Sequence, residues 1–149
     1  MSEPHFQNPD REIIHGLLAT ARTIAVVGLS PLPHRPSHQV ARALRDYGYR
    51  IVPVRPGSKM ILGETAYPDL ASVPESIDLV DVFRNPSQID PLIDACIELK
   101  IPAVWLQDGV VNVPAALRAR DAGITVVMDR CTYRDYNAFR AEGRPPLGE

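Results

Sequence analysis

Cysteines, long apolar runs and an excess of either charge are all scarce in this 149-residue sequence. Cys96 and Cys131 are too few for a disulfide framework and have no zinc-ligand spacing, which favours two free thiols. No segment approaches the roughly 18 apolar residues of a membrane helix, and the N-terminus lacks the pattern of a signal peptide. The formal net charge of −2 offers no broad basic surface for nucleic acid. These absences predict a cytoplasmic protein that binds neither membranes nor nucleic acids.

Proline is abundant instead, with 15 residues against 9 glycines, which is about twice the usual proline share. A composition of 45% hydrophobic and 23% charged residues is typical of a folded chain, so the prolines are not a mark of disorder. Proline fixes φ and lacks an amide hydrogen. The proline-poor stretches are therefore where helices and inner strands are expected.

Strand and helix patterns alternate along the chain. Five short apolar runs rich in β-branched residues predict buried parallel strands, at residues 23–29, 50–54, 78–83, 103–107 and 124–128. Amphipathic segments predict helices at residues 10–22, 36–47, 88–100, 113–122 and 130–140, and residues 60–67 predict a small extended excursion. The alternation predicts an α/β fold, with a doubly wound, mainly parallel five-stranded sheet and helices on both faces. We expect a single domain over residues 10–140, with tails at 1–9 and 141–149.

In such a fold ligands bind at the carboxyl ends of the strands, so the residues after each strand are the candidate site. The first loop holds Gly28, Ser30, Arg35 and Ser37 and leads into a helix N-terminus. Free amides of Ser37 and His38, together with the helix dipole, favour an anion such as phosphate there. The alternative is a solvated connector whose charges are incidental.

The end of the second predicted strand narrows the nucleotide class. Only Gly28 of a G-x-G-x-x-G fingerprint is present, and there is no phosphate-binding loop of the triphosphatase type. Arg55 stands where an NAD site has a carboxylate for the ribose. An arginine there suits a phosphorylated ribose, as in NADP or coenzyme A, although a plain surface arginine is the alternative.

The later strand ends offer weaker signals. Phe83, Arg84, Trp105, Gln107 and Gly109 stand where a channel for an uncharged ligand arm is expected. Core packing explains Phe83 and Trp105 equally well, and turn formation explains Gly109. No nucleophile–base pair, carboxylate pair or metal-ligand spacing is recognisable. The sequence therefore predicts no catalytic and no metal-binding residue.

Five segments occur together in order, at residues 27–37, 48–54, 78–84, 104–109 and 127–131. The ordered set resembles the small bacterial CoA-binding proteins of the YccU type, which are relatives of the CoA-binding domain of the succinyl-CoA synthetase α subunit. The resemblance covers about residues 10–136 of the sequence. It implies a Rossmann-like domain that binds coenzyme A, or an acyl-CoA, across the strand ends.

The resemblance also implies roles for particular residues. The phosphates would be held by the first loop, through Gly28, Ser30, Arg35 and Ser37. The adenosine end would be bordered by Pro53 and Arg55, with Arg55 facing the 3′-phosphate. The pantetheine arm would be flanked by Phe83, Arg84, Trp105, Gln107 and Gly109.

Three hypotheses about function follow. The chain lacks the second glycine-rich loop of the synthetase and its phosphohistidine and grasp domains, so the first is a stand-alone, non-catalytic CoA-binding protein. The second is an NADP-binding redox protein or oxidoreductase, and the third is an interaction platform with a vestigial site. A mixed disulfide between Cys131 and CoA is a further hypothesis. An oligomer or a protein partner is compatible with the sequence, which identifies neither these nor an acyl group.

Overall fold

The computed structural model describes residues 5–142, which contain five helices and seven strands. The helices are α1 (Arg11–Thr20), α2 (Pro36–Tyr47), α3 (Ile89–Glu98), α4 (Val113–Asp121) and α5 (Thr132–Ala141). The strands are β1 (Thr23–Val27), β2 (Arg50–Val54), β3 (Met60–Ile61), β4 (Glu64–Thr65), β5 (Leu79–Val82), β6 (Ala103–Leu106) and β7 (Thr125–Met128). Short 3-10 turns lie at Leu70–Ser72 and Pro86–Gln88.

The helix bounds follow from end signals in the sequence. Asp10 caps α1, because its carboxylate accepts a hydrogen bond from the Ile13 amide at 3.1 Å. Pro36 is the first residue of α2, and Gly48 ends that helix in the left-handed conformation with φ of 115°. The predicted helices are confirmed, with ends that differ by up to two residues.

The five long strands form one parallel sheet in the order β2-β1-β5-β6-β7. This confirms the predicted Rossmann-like, doubly wound architecture. The chain winds outwards in both directions from β1, which lies between β2 and β5. A change of winding direction opens a crevice at the carboxyl ends of the two central strands, where ligands of such folds bind.

Helices cover both faces of the sheet. One face packs against α1, α2 and α5, through buried residues such as Leu18, Leu44 and Phe139. The other face packs against α3 and α4, through residues such as Ile93 and Ala116. Within the described residues both faces of the sheet are closed by apolar side chains, so the strand ends are where a ligand can approach it.

Both outer strands are covered along part of their free edge. β3 and β4 form the expected extended excursion as a small antiparallel hairpin, and the chain then runs beside β2. The Tyr67 amide donates to the Pro53 carbonyl at 3.0 Å, and the Arg55 amide donates to the Tyr67 carbonyl at 2.8 Å. At the opposite edge the Asn8 side-chain amide donates to the Met128 carbonyl at 2.9 Å and accepts from the Met128 amide at 2.7 Å.

Asn8 therefore packs with the sheet, although it belongs to the segment expected as an N-terminal tail. Residues 1–4 and 143–149 of the two expected tails lie outside the described residues, and the domain bounds of 10–140 stay a prediction. None of the described helices is long and apolar enough to cross a membrane.

Candidate functional site

A cavity of about 720 Å³ lies at the carboxyl ends of β1, β2, β5 and β6, and we call it the cleft. Eight of the eleven residues predicted for the site line it, namely Gly28, Ser30, Arg35, Ser37, Arg55, Phe83, Arg84 and Gln107. The cleft lies at the change of winding direction beside β1. The fold thus brings together residues that are up to 79 positions apart in the sequence, from Gly28 to Gln107.

Gly28 forms the turn at the base of the cleft. Its φ is 83°, and its amide donates to the Val54 carbonyl at 3.0 Å. A Cβ at this position would lie 2.2 Å from the carbonyl oxygen of Phe83. Both the backbone conformation and the close approach of β5 therefore require glycine here.

The loop from Ser30 to Arg35 is tied to the start of α2. The Ser30 amide donates to the Ser37 hydroxyl oxygen at 2.9 Å, and the Ser30 hydroxyl accepts from the Leu32 amide at 3.1 Å. Ser30 and Ser37 are both nearly buried, so these bonds hold the loop in one conformation. The Ser37 hydroxyl keeps its own proton free to donate towards the cleft.

Of the two backbone amides expected to be free at the start of α2, those of Ser37 and His38, one is free. The His38 amide donates to the Arg35 carbonyl at 3.1 Å, so that group is occupied. In the part of the chain that the structure describes, the Ser37 amide has no acceptor. The His38 side chain is buried away from the cleft, and burial, with smaller contributions from Arg42 and Arg45, lowers its pKa.

Three arginines face the cleft without a partner. Within residues 5–142, the side chains of Arg35, Arg55 and Arg84 make neither an ion pair nor a hydrogen bond. Six arginines elsewhere do form ion pairs with carboxylates: Arg11, Arg50, Arg118, Arg120, Arg130 and Arg134. Asp108, the one carboxylate among the described residues that line the cleft, is paired with Arg134 at 2.7 Å. The cleft is therefore cationic, with donors suited to phosphate oxygens.

Gln107 is held at the cleft wall by a buried polar cluster. Its side-chain oxygen accepts from the Thr132 amide at 3.1 Å, and its side-chain NH₂ donates to the Thr132 hydroxyl at 3.0 Å. The Thr132 hydroxyl in turn donates to Asp81 Oδ2 at 3.2 Å. Asp81 is fully buried on β5, and its Oδ1 has no hydrogen-bond partner among the described residues. Burial raises the pKa of Asp81 to about 8.

The other three predicted residues do not line the cleft. Pro53 is buried within β2, where it pairs with Val26. Trp105 is fully buried, and its indole nitrogen donates to the Arg130 carbonyl at 2.8 Å. Gly109 forms a turn with φ of 78°, and its amide donates to Asp129 at 2.8 Å. A role for these residues in binding stays a prediction.

The eleven residues predicted for the site leave out part of the lining. Five further residues complete the cleft, namely Pro31, Leu32, Pro36, Asp108 and Val110. All of them adjoin predicted positions in the same two loops, so the loops were the available signal. Leu32 is 47% exposed and gives the cleft an apolar rim.

A second, smaller cavity of about 230 Å³ lies on the other side of Arg84 and had no signal in the sequence. Its walls come from the end of β2, from the turn at Leu70–Ser72 and from α3. The lining is mainly apolar and includes Val54, Pro68, Leu70, Leu92 and Ala95, with Asp69 and Gln88 as polar groups. Arg84 lines both cavities, which therefore lie next to each other.

Neither cysteine lines the cleft. Cys96 is buried in the core, and burial raises the pKa of its thiol to about 12. Cys131 is half-buried at the start of α5. Within residues 5–142 no group of three histidine, cysteine or acidic side chains has the arrangement of a metal site. The mixed disulfide of Cys131 stays a prediction.

Comparison with known proteins gives consistent matches. A family model described as a CoA binding domain matches residues 22–137. The YneT protein of Bacillus subtilis is 40% identical over 125 residues, which are 84% of this chain and 93% of that protein. A solved structure of a hypothetical protein from Pyrococcus horikoshii OT3 has a TM-score of 0.86 at 30% identity, and the match covers 94% of this chain and 99% of that one.

A longer relative shares only part of its length with this chain. An ADP-forming acetate–CoA ligase of Archaeoglobus fulgidus is 25% identical over 75 residues. These residues are 50% of this chain but 11% of the ligase. What is common to both proteins is therefore a small part of the ligase.

Proposed function

The chain belongs to the CoA binding domain family, and from that premise we propose that the cleft binds coenzyme A or an acyl-CoA. The cleft would hold the three phosphate groups of the ligand. The observation that carries the proposal is the set of three unpaired arginines, Arg35, Arg55 and Arg84, around one cavity. An unpaired arginine that faces a cavity is a ready donor for an anion, and its planar fork fits phosphate. Coenzyme A supplies a diphosphate and a 3′-phosphate.

The start of α2 is the proposed position of the diphosphate. The Ser37 amide, the Ser37 hydroxyl and the Arg35 guanidinium all lie at this helix end. The positive end of the helix dipole adds to their attraction for an anion. Gly28 leaves room beneath the diphosphate because it has no side chain.

The adenosine end is proposed at β2 and in the smaller cavity. Arg55 follows β2 directly and would receive the 3′-phosphate, while the apolar walls around Leu70 and Leu92 suit a planar base. Arg84 lines both cavities and would lie between the adenosine and the diphosphate. The pantetheine arm would then extend past Phe83 and Gln107 towards the apolar rim of Leu32.

We infer that the site binds without catalysing acyl transfer. No histidine, cysteine or lysine lines the cleft in the part of the chain that the structure describes. The cleft carboxylate, Asp108, is held in an ion pair by Arg134, so the two cleft serines lack a free general base. Release of the CoA thiol from acetyl-CoA during incubation with the protein, followed with a thiol reagent, would contradict this inference.

The observations do not favour NADP as the ligand. The family match gives it no support, and the turn at Gly28 does not continue as a G-x-G-x-x-G loop.

Calorimetric titration of CoA and dephospho-CoA tests the proposal, since dephospho-CoA lacks only the 3′-phosphate. We expect the native protein to bind CoA at least about tenfold more tightly than dephospho-CoA, because a hydrogen bond to a charged group contributes about 1.5–3 kcal/mol. Arg55→Gln should lower the affinity for CoA to that for dephospho-CoA and leave the affinity for dephospho-CoA unchanged. Arg35→Gln should weaken both ligands.

Arg120→Gln is the matched control, since Arg120 is exposed on α4 and remote from the cleft. It should leave both affinities unchanged. Absence of CoA binding at sub-millimolar concentration would overturn the proposed function. Equal binding of CoA and dephospho-CoA to the native protein would overturn the role given to Arg55.

A further inference from the structure

The outward face of α2 carries a groove that no described residue covers. Its volume is about 410 Å³, and it is lined by Gln39, Val40, Arg42, Ala43, Asp46 and Tyr133. None of these residues lines the cleft, although α2 begins there. Residues 39, 43 and 46 follow the i, i+4, i+7 spacing of positions that share one face of a helix. The proposed binding of CoA makes no use of this groove.

Arg42 and Asp46 place opposite charges on the groove, one helical turn apart. Both are exposed, and within residues 5–142 neither side chain makes an ion pair or a hydrogen bond. An arginine that precedes its acidic partner by four residues is the less favourable order for a pair within one helix. Both charges are therefore available to a partner.

Tyr133 gives the groove a rigid aromatic edge. It is 41% exposed. Its ring stacks on Tyr47 with a centroid distance of 6.2 Å, and Tyr47 stacks on Tyr136 at 4.1 Å. Tyrosine and arginine are enriched at protein interfaces, because they bring much contact area or strong hydrogen bonds. The groove thus has the composition of a protein-binding surface.

We propose that this groove binds a second copy of the chain, with the two α2 helices antiparallel across a two-fold axis. A two-fold interface needs a surface that is complementary to itself, and a face that carries both charges meets this condition. Arg42 of each copy would pair with Asp46 of the other. The small side chain of Ala43 allows the two helices to approach closely.

The dimer should be weak and dependent on concentration. A helix of 12 residues is about 18 Å long. Its face offers less than the roughly 800 Å² that each partner buries in a standard interface. Because two exposed ion pairs are proposed at its centre, salt should weaken the dimer further.

Sedimentation velocity of the whole chain over a range of concentrations tests the proposal. The native protein should shift from the 16.4 kDa monomer to a dimer as its concentration rises, and less so at high salt. Arg42→Asp and Asp46→Arg should each be monomeric at concentrations where the native protein is dimeric. Mixing these two variants should restore a dimer, because a doubly acidic face then meets a doubly basic one.

The mixture protects the test against misfolding, since chains that fail to fold would not recover by mixing. Arg120→Asp is the control for a charge reversal elsewhere and should dimerise like the native chain. The proposal is overturned if the native chain stays monomeric up to millimolar concentration. It is also overturned if either variant alone dimerises normally, or if the mixture stays monomeric.

Discussion

At the scale of single residues, Gly28 is under two separate constraints. Its φ of 83° is unfavourable for any residue with a side chain, and β5 leaves no space for a Cβ. Gly63 is under the first constraint alone: its φ is 72°, and an added Cβ there would meet no atom within 4 Å. The two glycines therefore allow the cost of conformation and the cost of the close approach to be measured separately.

We predict that Gly63→Ala lowers the free energy of unfolding by about 1–2 kcal/mol, the usual cost of the left-handed region. Gly28→Ala should cost about 1–3 kcal/mol more, because the Phe83 main chain must move. Urea unfolding of the two variants and the native protein measures both values. Equal losses in the two variants would show that the approach of Phe83 does not restrict this position.

At the scale of elements, the loop after β1 and the start of α2 work as one unit. The hydrogen bond between the Ser30 amide and the Ser37 hydroxyl is the link between them. Without that acceptor the Ser30 amide would be buried and unpaired, which costs about 1–3 kcal/mol. The loop would then leave the conformation that points it towards the proposed diphosphate position.

Ser37→Ala should accordingly weaken CoA binding by about tenfold or more, with a smaller fall in the melting temperature. Titration calorimetry and thermal unfolding supply the two readouts. Ser76→Ala removes an exposed hydroxyl outside the cleft and should change neither the CoA affinity nor the melting temperature. An unchanged CoA affinity in Ser37→Ala would show that this link does not support binding.

The same elements explain how far the sequence could predict the structure. Signals that act locally were sufficient for the strands and helices: β2 has its predicted bounds, and Gly48 ends α2 as expected. The burial of Trp105 in the core, outside the cleft, was not predictable from the sequence. A strand that is apolar on both faces does not reveal which groups each of its side chains contacts. The smaller cavity and the cluster of Asp81, Gln107 and Thr132 depend on contacts between distant segments, which no local pattern encodes.

At the scale of the whole molecule, Asp81 makes stability depend on pH. Its pKa is raised to about 8 by burial in the middle of the sheet, whereas an unfolded aspartate titrates near 4. Between these values the native state holds a proton that the unfolded state has lost. The contribution of this group to stability therefore falls as the pH rises from about 4 to about 8.

Asp81→Asn keeps the shape of the protonated acid and cannot ionise. The asparagine oxygen can still accept from Thr132 and Gln107. We predict that the variant gains stability relative to the native protein as the pH rises, with the difference larger at pH 8 than at pH 5. Urea unfolding at pH 5 and pH 8 measures the difference in free energy of unfolding between the variant and the native protein. The contributions of other titrating groups cancel in this difference. A difference that does not change with pH would mean that Asp81 is ionised throughout.

The contacts of Asn8 and Tyr67 with the outer strands limit how copies of this protein can associate. An open parallel sheet presents unpaired backbone groups at both borders, where strands of other chains can add without limit and form aggregates. Here a side-chain amide occupies the Met128 backbone at one border, and the chain's own main chain occupies β2 at the other. Growth of the sheet from molecule to molecule is thereby obstructed on both sides. Association through a helical surface, as proposed for α2, does not extend the sheet and can stop at two copies.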